Sequence, residues 1–533
     1  MLYFIPAWYQ KNAWSENEQN WYEKRMHTEF DDTVKQVQLF HRNGAYQYRI
    51  MLLGHAPNFR HFLHRQSVYH APYWSCFDAI QEVQRKKMMV LSFHSIDWPK
   101  DIEFIYTQFA VLALLHQKKY AKIDFGEDGN PIRIQMYEDG KVIRKNVYDD
   151  RGFVSSTIIY DEKEEPLYQD YLMENGIWKI RHYFADDHVE VNPKNPEYLL
   201  RYEDREIHSA FRQLRYGNLS EVIREVTIAY IRFTRADDIF CVAMHQQHTQ
   251  LLHEILRDRK MVLSFFEERF SWEEEKNIRS MMLEADHIVA DSYDNSEKIR
   301  TFMGDESVPI TEITPFDTRV DFGISQQLSV QKILVPVDGL QDHVFESLVR
   351  QLGNYMLCNK NAQIHLFTRC ADLGIADHLL AEVRMLMGEE NLPIEWAVPE
   401  GERKVCENDL DDYEEPVPAR FFVEECVDEL SVSKCMREQR IMVDMRETPE
   451  LYMQIMAISV GIPQIIQTST QYLQDGANGI VLQELDRLKE SLDFYLDGLT
   501  HWNEAMISCY EIGKKYTTKV LLQKWKEVIE SIG

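Results

Sequence analysis

Between Tyr120 and Val191 a turn signal returns every 11 or 12 residues: Asp128-Gly-Asn130, Asp139-Gly-Lys141, Asp150-Arg-Gly152, Glu162-Lys163, Glu174-Asn-Gly176 and Asp186-Asp187. Segments of alternating polarity lie between them, such as Ile132–Met136 and Trp178–Phe184. Period two bounded by Gly, Asn and Asp turns dictates antiparallel hairpins. The spacing predicts a β-meander of six or seven strands inserted over residues 119–200. Strands of ordinary length give this interval without any internal repeat.

The flanking chain has a different texture. Tyr48–Leu53, Lys87–Phe93, Asp238–Met244, Met261–Phe266 and Ala285–Asp291 are short apolar runs that read as strands. Glu29–Phe40 and Ser292–Met303 read as helices, and 308–329, with two prolines, reads as a linker. Beyond it, strands are expected at Lys332–Val337, Gln363–Phe367, Ile394–Val398, Arg420–Val423, Ile441–Val443 and Gln464–Ile466. Helices at 343–358 and 376–387 separate some of these strands. Strand–helix alternation implies parallel sheets covered on both faces, with ligands bound beyond the strand C-termini. Trp502, Met506, Cys509, Val520, Trp525 and Val528 form one apolar helical stripe at the end.

Composition narrows the function. With 59 Lys and Arg against 87 Asp and Glu, the net charge is -28, which excludes a broad nucleic-acid footprint and a polybasic membrane binder. The densest basic stretch is His55, Arg60, His61, His64, Arg65 and His70, suited to an acidic partner, to lipid headgroups or to a solvated helix face. Eight cysteines are dispersed, and the nearest two, Cys426 and Cys435, are nine apart; this excludes CxxC chemistry and fits a reducing cytosol. Met1–Trp8 has no basic residue before its apolar run and reads as a first strand rather than an export signal. No P-loop, HExxH or GxSxG motif occurs, and no metal site or cofactor is identified.

The sharpest chemical signal runs from Arg446-Glu-Thr-Pro-Glu450 through Gly461-Ile-Pro463 to Gln474-Asp-Gly-Ala-Asn-Gly479. Thr448 suits an N-cap and Pro449 the first helical position. This helix–Gly-x-Pro–strand–Asp-Gly-x-Asn-Gly order resembles the C-terminal domain of retaining GT-B glycosyltransferases. The resemblance implies an α/β, GT-B-like fold: two Rossmann-like domains facing a cleft, with the β-meander domain inserted in the first. It implies an N-terminal domain at 1–118 and 201–315, a C-terminal domain at 316–499, and a helix at 500–533 crossing back to the first domain.

In that family two glutamates eight apart contact donor sugar and ribose; the matching positions here are Thr448 and Met456, which carry no carboxylate. Family members hold the donor diphosphate with a helix N-terminus and with Arg and Lys after the first C-domain strand. Here that loop reads Val337-Asp-Gly-Leu-Gln-Asp-His-Val344, so acidic Asp338 and neutral His343 stand where cations are expected. The glycine loop near the N-terminus is replaced by Ala7–Trp14. Trp8, Trp14 and Trp21 suit either a sugar-stacking or a core role, and His245 and His248 follow a predicted strand where glycan contacts would lie.

The opening Phe4–Tyr9, Glu29-Phe-Asp-Asp32, the inserted meander and the degraded C-domain together resemble the first accessory secretory protein of the bacterial accessory Sec system. That resemblance implies no catalysis and a cytoplasmic place, with room for peripheral contact at the inner face of the membrane. It implies partnership with the other accessory secretory proteins, a motor ATPase and glycosylated serine-rich-repeat adhesins. The alternative is an active retaining glycosyltransferase that modifies the adhesin from a nucleotide-sugar donor, with relocated carboxylates such as Glu450 or Asp475.

Overall fold

The computed structural model describes residues 1–9, 13–15, 30–44, 46–270, 275–304, 308–319, 321–370, 372, 374–398 and 418–533, without the side chains of 275–277. The predicted helix from Glu29 thus begins at the edge of the described residues, and Trp21 lies outside them.

The chain opens with β1 (Leu2–Ile5), α1 (Asp32–Asn43), β2 (Tyr48–Leu52), α2 (Phe59–Arg65), β3 (Tyr73–Ser75) and α3 (Cys76–Ile80). Asp31 caps α1 by accepting from the Thr33 and Val34 amides, and Gly44 ends it at φ 58°. The meander follows as β4 (Ile102–Tyr106), β5 (Val111–Leu115), β6 (Lys118–Phe125), β7 (Pro131–Glu138), β8 (Lys141–Asp149), β9 (Phe153–Tyr160), β10 (Pro166–Leu172), β11 (Trp178–Tyr183) and β12 (Val189–Val191). A separate hairpin, β13 (Glu197–Tyr202) and β14 (Arg205–Ala210), precedes β15 (Arg215–Tyr216), which closes the antiparallel sheet beside β12.

The predicted range holds seven strands of this sheet, β6 to β12, and β4, β5 and β15 extend the sheet to ten. Its first two, β4 and β5, fall in the range assigned from sequence to the first Rossmann-like domain, because their turn lacks the Asp-Gly signature seen later. The expected strand Lys87–Phe93 does not form. Its Met89 and Leu91 amides donate to the Asp150 carbonyl and Asn130 Oδ1, and Leu91 and Phe93 cover a satellite core around Ile123.

The first parallel sheet resumes with α4 (Leu219–Ile231), β16 (Ile239–Ala243), α5 (Gln246–Leu256), β17 (Lys260–Phe265), α6 (Glu275–Glu284), β18 (His287–Ala290), α7 (Tyr293–Met303) and β19 (Ile310–Glu312). The second contains β20 (Gln331–Pro336), α8 (Asp342–Cys358), β21 (Ala362–Thr368), α9 (Ile375–Glu389), β22 (Phe421–Glu425), α10 (Glu429–Glu438), β23 (Ile441–Asp444), α11 (Leu451–Val460), β24 (Gln464–Ile466) and β25 (Gly479–Val481). Ile394–Ala397 is a 3-10 turn, not a strand; Trp396 is buried under the Arg420 guanidinium, 4.7 Å from the ring centre, instead of extending the sheet edge.

The orders β19-β18-β17-β16-β1-β2-β3 and β22-β21-β20-β23-β24-β25 share one logic: each sheet reverses direction beside its first strand. Such reversals open a crevice at the strand C-termini, between β1 and β16 and between β20 and β23.

The C-terminal stripe forms two helices after α12 (Leu488–Leu496): α13 (Thr500–Gly513) and α14 (Thr518–Ile532). Trp502 and Cys509 of α13 pack with α11, whereas Leu521, Trp525 and Val528 of α14 join the core behind β1 and α1. The break at 514–517 lets one apolar stripe serve two cores.

The basic stretch finds its acidic partner inside the chain. Arg60 is buried and paired with Asp150 and Asp149 of the antiparallel sheet, and His61 and Arg65 approach Glu127 at 3.8 and 3.3 Å. Buried His55 contacts Ser155 Oγ at 2.8 Å, leaving His64 and His70 exposed.

Candidate functional site

The crevice between β20 and β23 holds a cavity of about 280 Å3 lined by Asp338, His343, Met445, Arg446, Glu447 and Thr448, among others. Three of the four sequence-predicted donor positions, Thr448, Asp338 and His343, therefore meet in one place. Met456 does not join them; it lies half-buried among the residues packed around Tyr452. Thr448 is exposed and does not cap α11. Glu450 occupies the N-cap position without a side-chain cap bond, so Pro449 precedes the helix. Gly461 ends the helix at φ +77°, where a Cβ would stand 2.8 Å from Phe322 and 2.9 Å from Met506.

Asp338 ties two strand ends together: the Thr368 hydroxyl and Arg369 amide donate to it at 2.6 and 2.7 Å. The sequence reading expects no cation here, and the structure corrects that. Arg446 enters the cavity directly after β23, and buried Arg369 follows β21. Neither follows β20, where the family pattern directs attention; a basic residue immediately after a central strand was the available signal.

Both cations are already matched. Arg446 Nε and Nη2 donate to Asp444 at 2.8 and 2.7 Å, a bidentate grip in a buried setting. Burial works against the Arg446 charge, but Asp444 outweighs it and holds the guanidinium above its ordinary range. Arg369 pairs with Glu450 and stacks over Phe30 at 3.8 Å. Burial raises the Glu450 carboxyl, opposed by Arg369 and Arg446. Asp475, the other candidate carboxylate, accepts from the Val481 amide at 2.9 Å.

At the first crevice, Tyr9 lies between His245 and His248, with ring centres 5.4 and 5.5 Å away. His248 is fully buried; its Nε2 donates to the Ala243 carbonyl at 2.6 Å, so Nδ1 receives the Tyr9 hydroxyl at 2.9 Å. Burial, aided by His245, pushes its pKa down to about 3. Trp8 is also buried: its indole donates to Asp31 at 2.9 Å and packs on Phe59 and Phe62. Trp8 and His248 are thus core groups rather than glycan contacts, because their polar atoms are consumed internally. Trp14 is likewise buried, donating to Ser220 at 2.8 Å. Half-buried His245 caps α5 by accepting from the Gln247 amide at 3.0 Å, and burial lowers it to about 4.

The two crevices meet across an aromatic seam. Phe30 and Phe316 stack edgewise on Tyr452 of α11 at 4.7 and 5.1 Å. Arg269 grips Asp31 and Asp32 on the first side. Burial, then Glu450 and Asp291, push Glu267 up to about 8, although its exposed face lets solvent screen these charges. Among the described residues here, the guanidiniums of Arg269, Arg369 and Arg446 meet eight carboxylates: Asp31, Asp32, Glu267, Asp291, Asp338, Asp444, Glu447 and Glu450. Even with Glu267 protonated, the carboxylates outnumber the guanidiniums here, a balance unfavourable to a diphosphate.

Two Rossmann-ordered sheets facing one seam, with an antiparallel insert, define a GT-B glycosyltransferase-like protein. The pneumococcal O-GlcNAc transferase GtfA, solved with UDP and GlcNAc, shares the fold at a TM-score of 0.65, with 11% identity over 100% of this chain and 98% of that one.

More narrowly, the chain belongs to the accessory Sec system protein family of accessory secretory protein 1, whose model matches residues 1–531. The Streptococcus gordonii member is 30% identical over 533 residues, covering 99% of this chain and 98% of its own. The structure of accessory secretory proteins 1, 2 and 3 of Streptococcus pneumoniae contains a similar chain. It matches at a TM-score of 0.81 and 27% identity, over 100% of this chain and 99% of that one.

Proposed function

We propose that this chain is a non-catalytic, glycosyltransferase-like component of accessory Sec export, which binds partners without transferring sugar. It works in a complex with the other accessory secretory proteins, on the cytoplasmic side. There it helps present glycosylated serine-rich-repeat adhesins to the export motor ATPase. The observation that carries the reading is the self-neutralised crevice. Arg446 spends two guanidinium nitrogens on Asp444, while Asp338 and Glu447 line the same cavity and Thr448 stands where the family places a carboxylate.

Without a held diphosphate there is no leaving group to stabilise, and no transfer follows. The test is calorimetry with UDP- and GDP-sugars, paired with a donor-hydrolysis assay. No heat and no hydrolysis are expected; micromolar donor binding with turnover would overturn the proposal. Co-expression with the second and third accessory secretory proteins, followed by sizing, should give a stable complex that survives deglycosylation of cargo.

A further inference from the structure

We propose that Glu424, Cys426 and Cys435 form a binding site for a thiophilic divalent cation of the zinc class. One ligand atom from each lies within 4.8 Å of the others. A tetrahedral zinc, roughly 2.3 Å from sulfur and 2.0 Å from carboxylate oxygen, needs ligands on the order of 3.5 Å apart, which side-chain rotation reaches from here. Period two at the end of β22 puts Glu424 and Cys426 on one face. Cys435 comes from α10, which packs back over that strand end. The nine-residue spacing escapes any CxxC scan because strand and helix, not a knuckle, bring the sulfurs together.

Polar groups at both ends of α10 lie close to the pair. Cys426 precedes α10, whose N-terminus is fixed by a capping box of Asp428 and Ser431. The Gln439 amide donates to Cys435 Sγ at 3.6 Å.

Glu424 is oriented from behind by His365 Nδ1 at 2.7 Å, as carboxylate ligands commonly are. The carboxylate favours a cation over a disulfide, since its charge opposes thiolate attack but completes a metal ligand set. Three protein ligands leave the fourth tetrahedral position for water. The site would pin β22 to α10, whose Glu429 pairs with Lys35 of the first unit at 2.8 Å.

The experiment titrates the reduced full-length chain with cobalt(II) and follows sulfur-to-cobalt charge transfer. One equivalent should saturate the band and zinc should displace it. Cys426→Ser and Cys435→Ser should abolish it, and Glu424→Gln should weaken affinity at least tenfold. A parallel measurement needs no variant: zinc should protect Cys426 and Cys435, but not exposed Cys358, from alkylation read by peptide mass. No saturable band, a band unchanged in Cys426→Ser, no protection, or only a Cys426–Cys435 disulfide under mild oxidation would each overturn the proposal.

Discussion

Arg446 donates to both oxygens of Asp444, two residues behind it, at 2.8 and 2.7 Å, and so turns a potential phosphate ligand into a structural strut. Asp444→Asn should break this strut and leave a buried guanidinium unpaired. About 3–5 kcal/mol of stability should be lost, measured by urea unfolding. The same variant should gain measurable affinity for inorganic diphosphate in calorimetry, where the parent shows none.

Arg151 holds the antiparallel sheet to the first unit. It donates to Asp149 at 2.7 Å and to Asp78 at 2.7 and 2.9 Å, in a nearly dry setting. Arg151→Met should cost about 3 kcal/mol, since Asp149 and Asp78 lose their bidentate partner and keep only Arg60 as a cation, at 3.4 and 3.9 Å. Limited proteolysis should then cut between the sheet and the first unit faster than in the parent.

Acid should unfold the chain through its buried histidines. His248 is held near 3 and His55 near 4, both by burial, against an unfolded value of about 6.5. The native state therefore binds fewer protons than the unfolded state below pH 6.5. Stability falls as pH drops from there toward 4, by about 1.4 kcal/mol per pH unit for each histidine. Thermal melts between pH 7 and pH 5 should show this slope, and His248→Gln should make it shallower.

Trp525 of α14 is buried against Phe4 and Phe40, edge-on at 6.5 and 5.9 Å. Trp525→Ala should cost about 3–5 kcal/mol through lost burial and the cavity left behind. Hydrogen exchange should rise in α14 and β1 while α13, seated on the other core, stays protected.

Local pattern made much of this architecture legible. Apolar runs at helix spacing marked α7, α8 and α9, and polar turn residues marked the hairpins from β6 onward, because these signals are set by residues close in sequence. Strand Lys87–Phe93 and strand Ile394–Val398 failed for the complementary reason. An apolar run commits to a sheet only if a neighbouring strand offers its edge, and those runs met a loop and an arginine instead. β25 was missed because it opens on Gly479, the last residue of a turn signal, which leaves only Ile480 and Val481 as an apolar run.

The sequence by itself determined the alternation, the meander and the missing carboxylates at Thr448 and Met456, since residue identity and short-range spacing are written there directly. Only the tertiary structure decided that Trp8 and His248 are core, that Arg60 answers to Asp150, and that Arg446 and Arg369 stand in the seam with their charges already met. Burial and ion pairing depend on what strands distant in sequence bring alongside. The free energy of a charge is set by that company rather than by its own place in the chain.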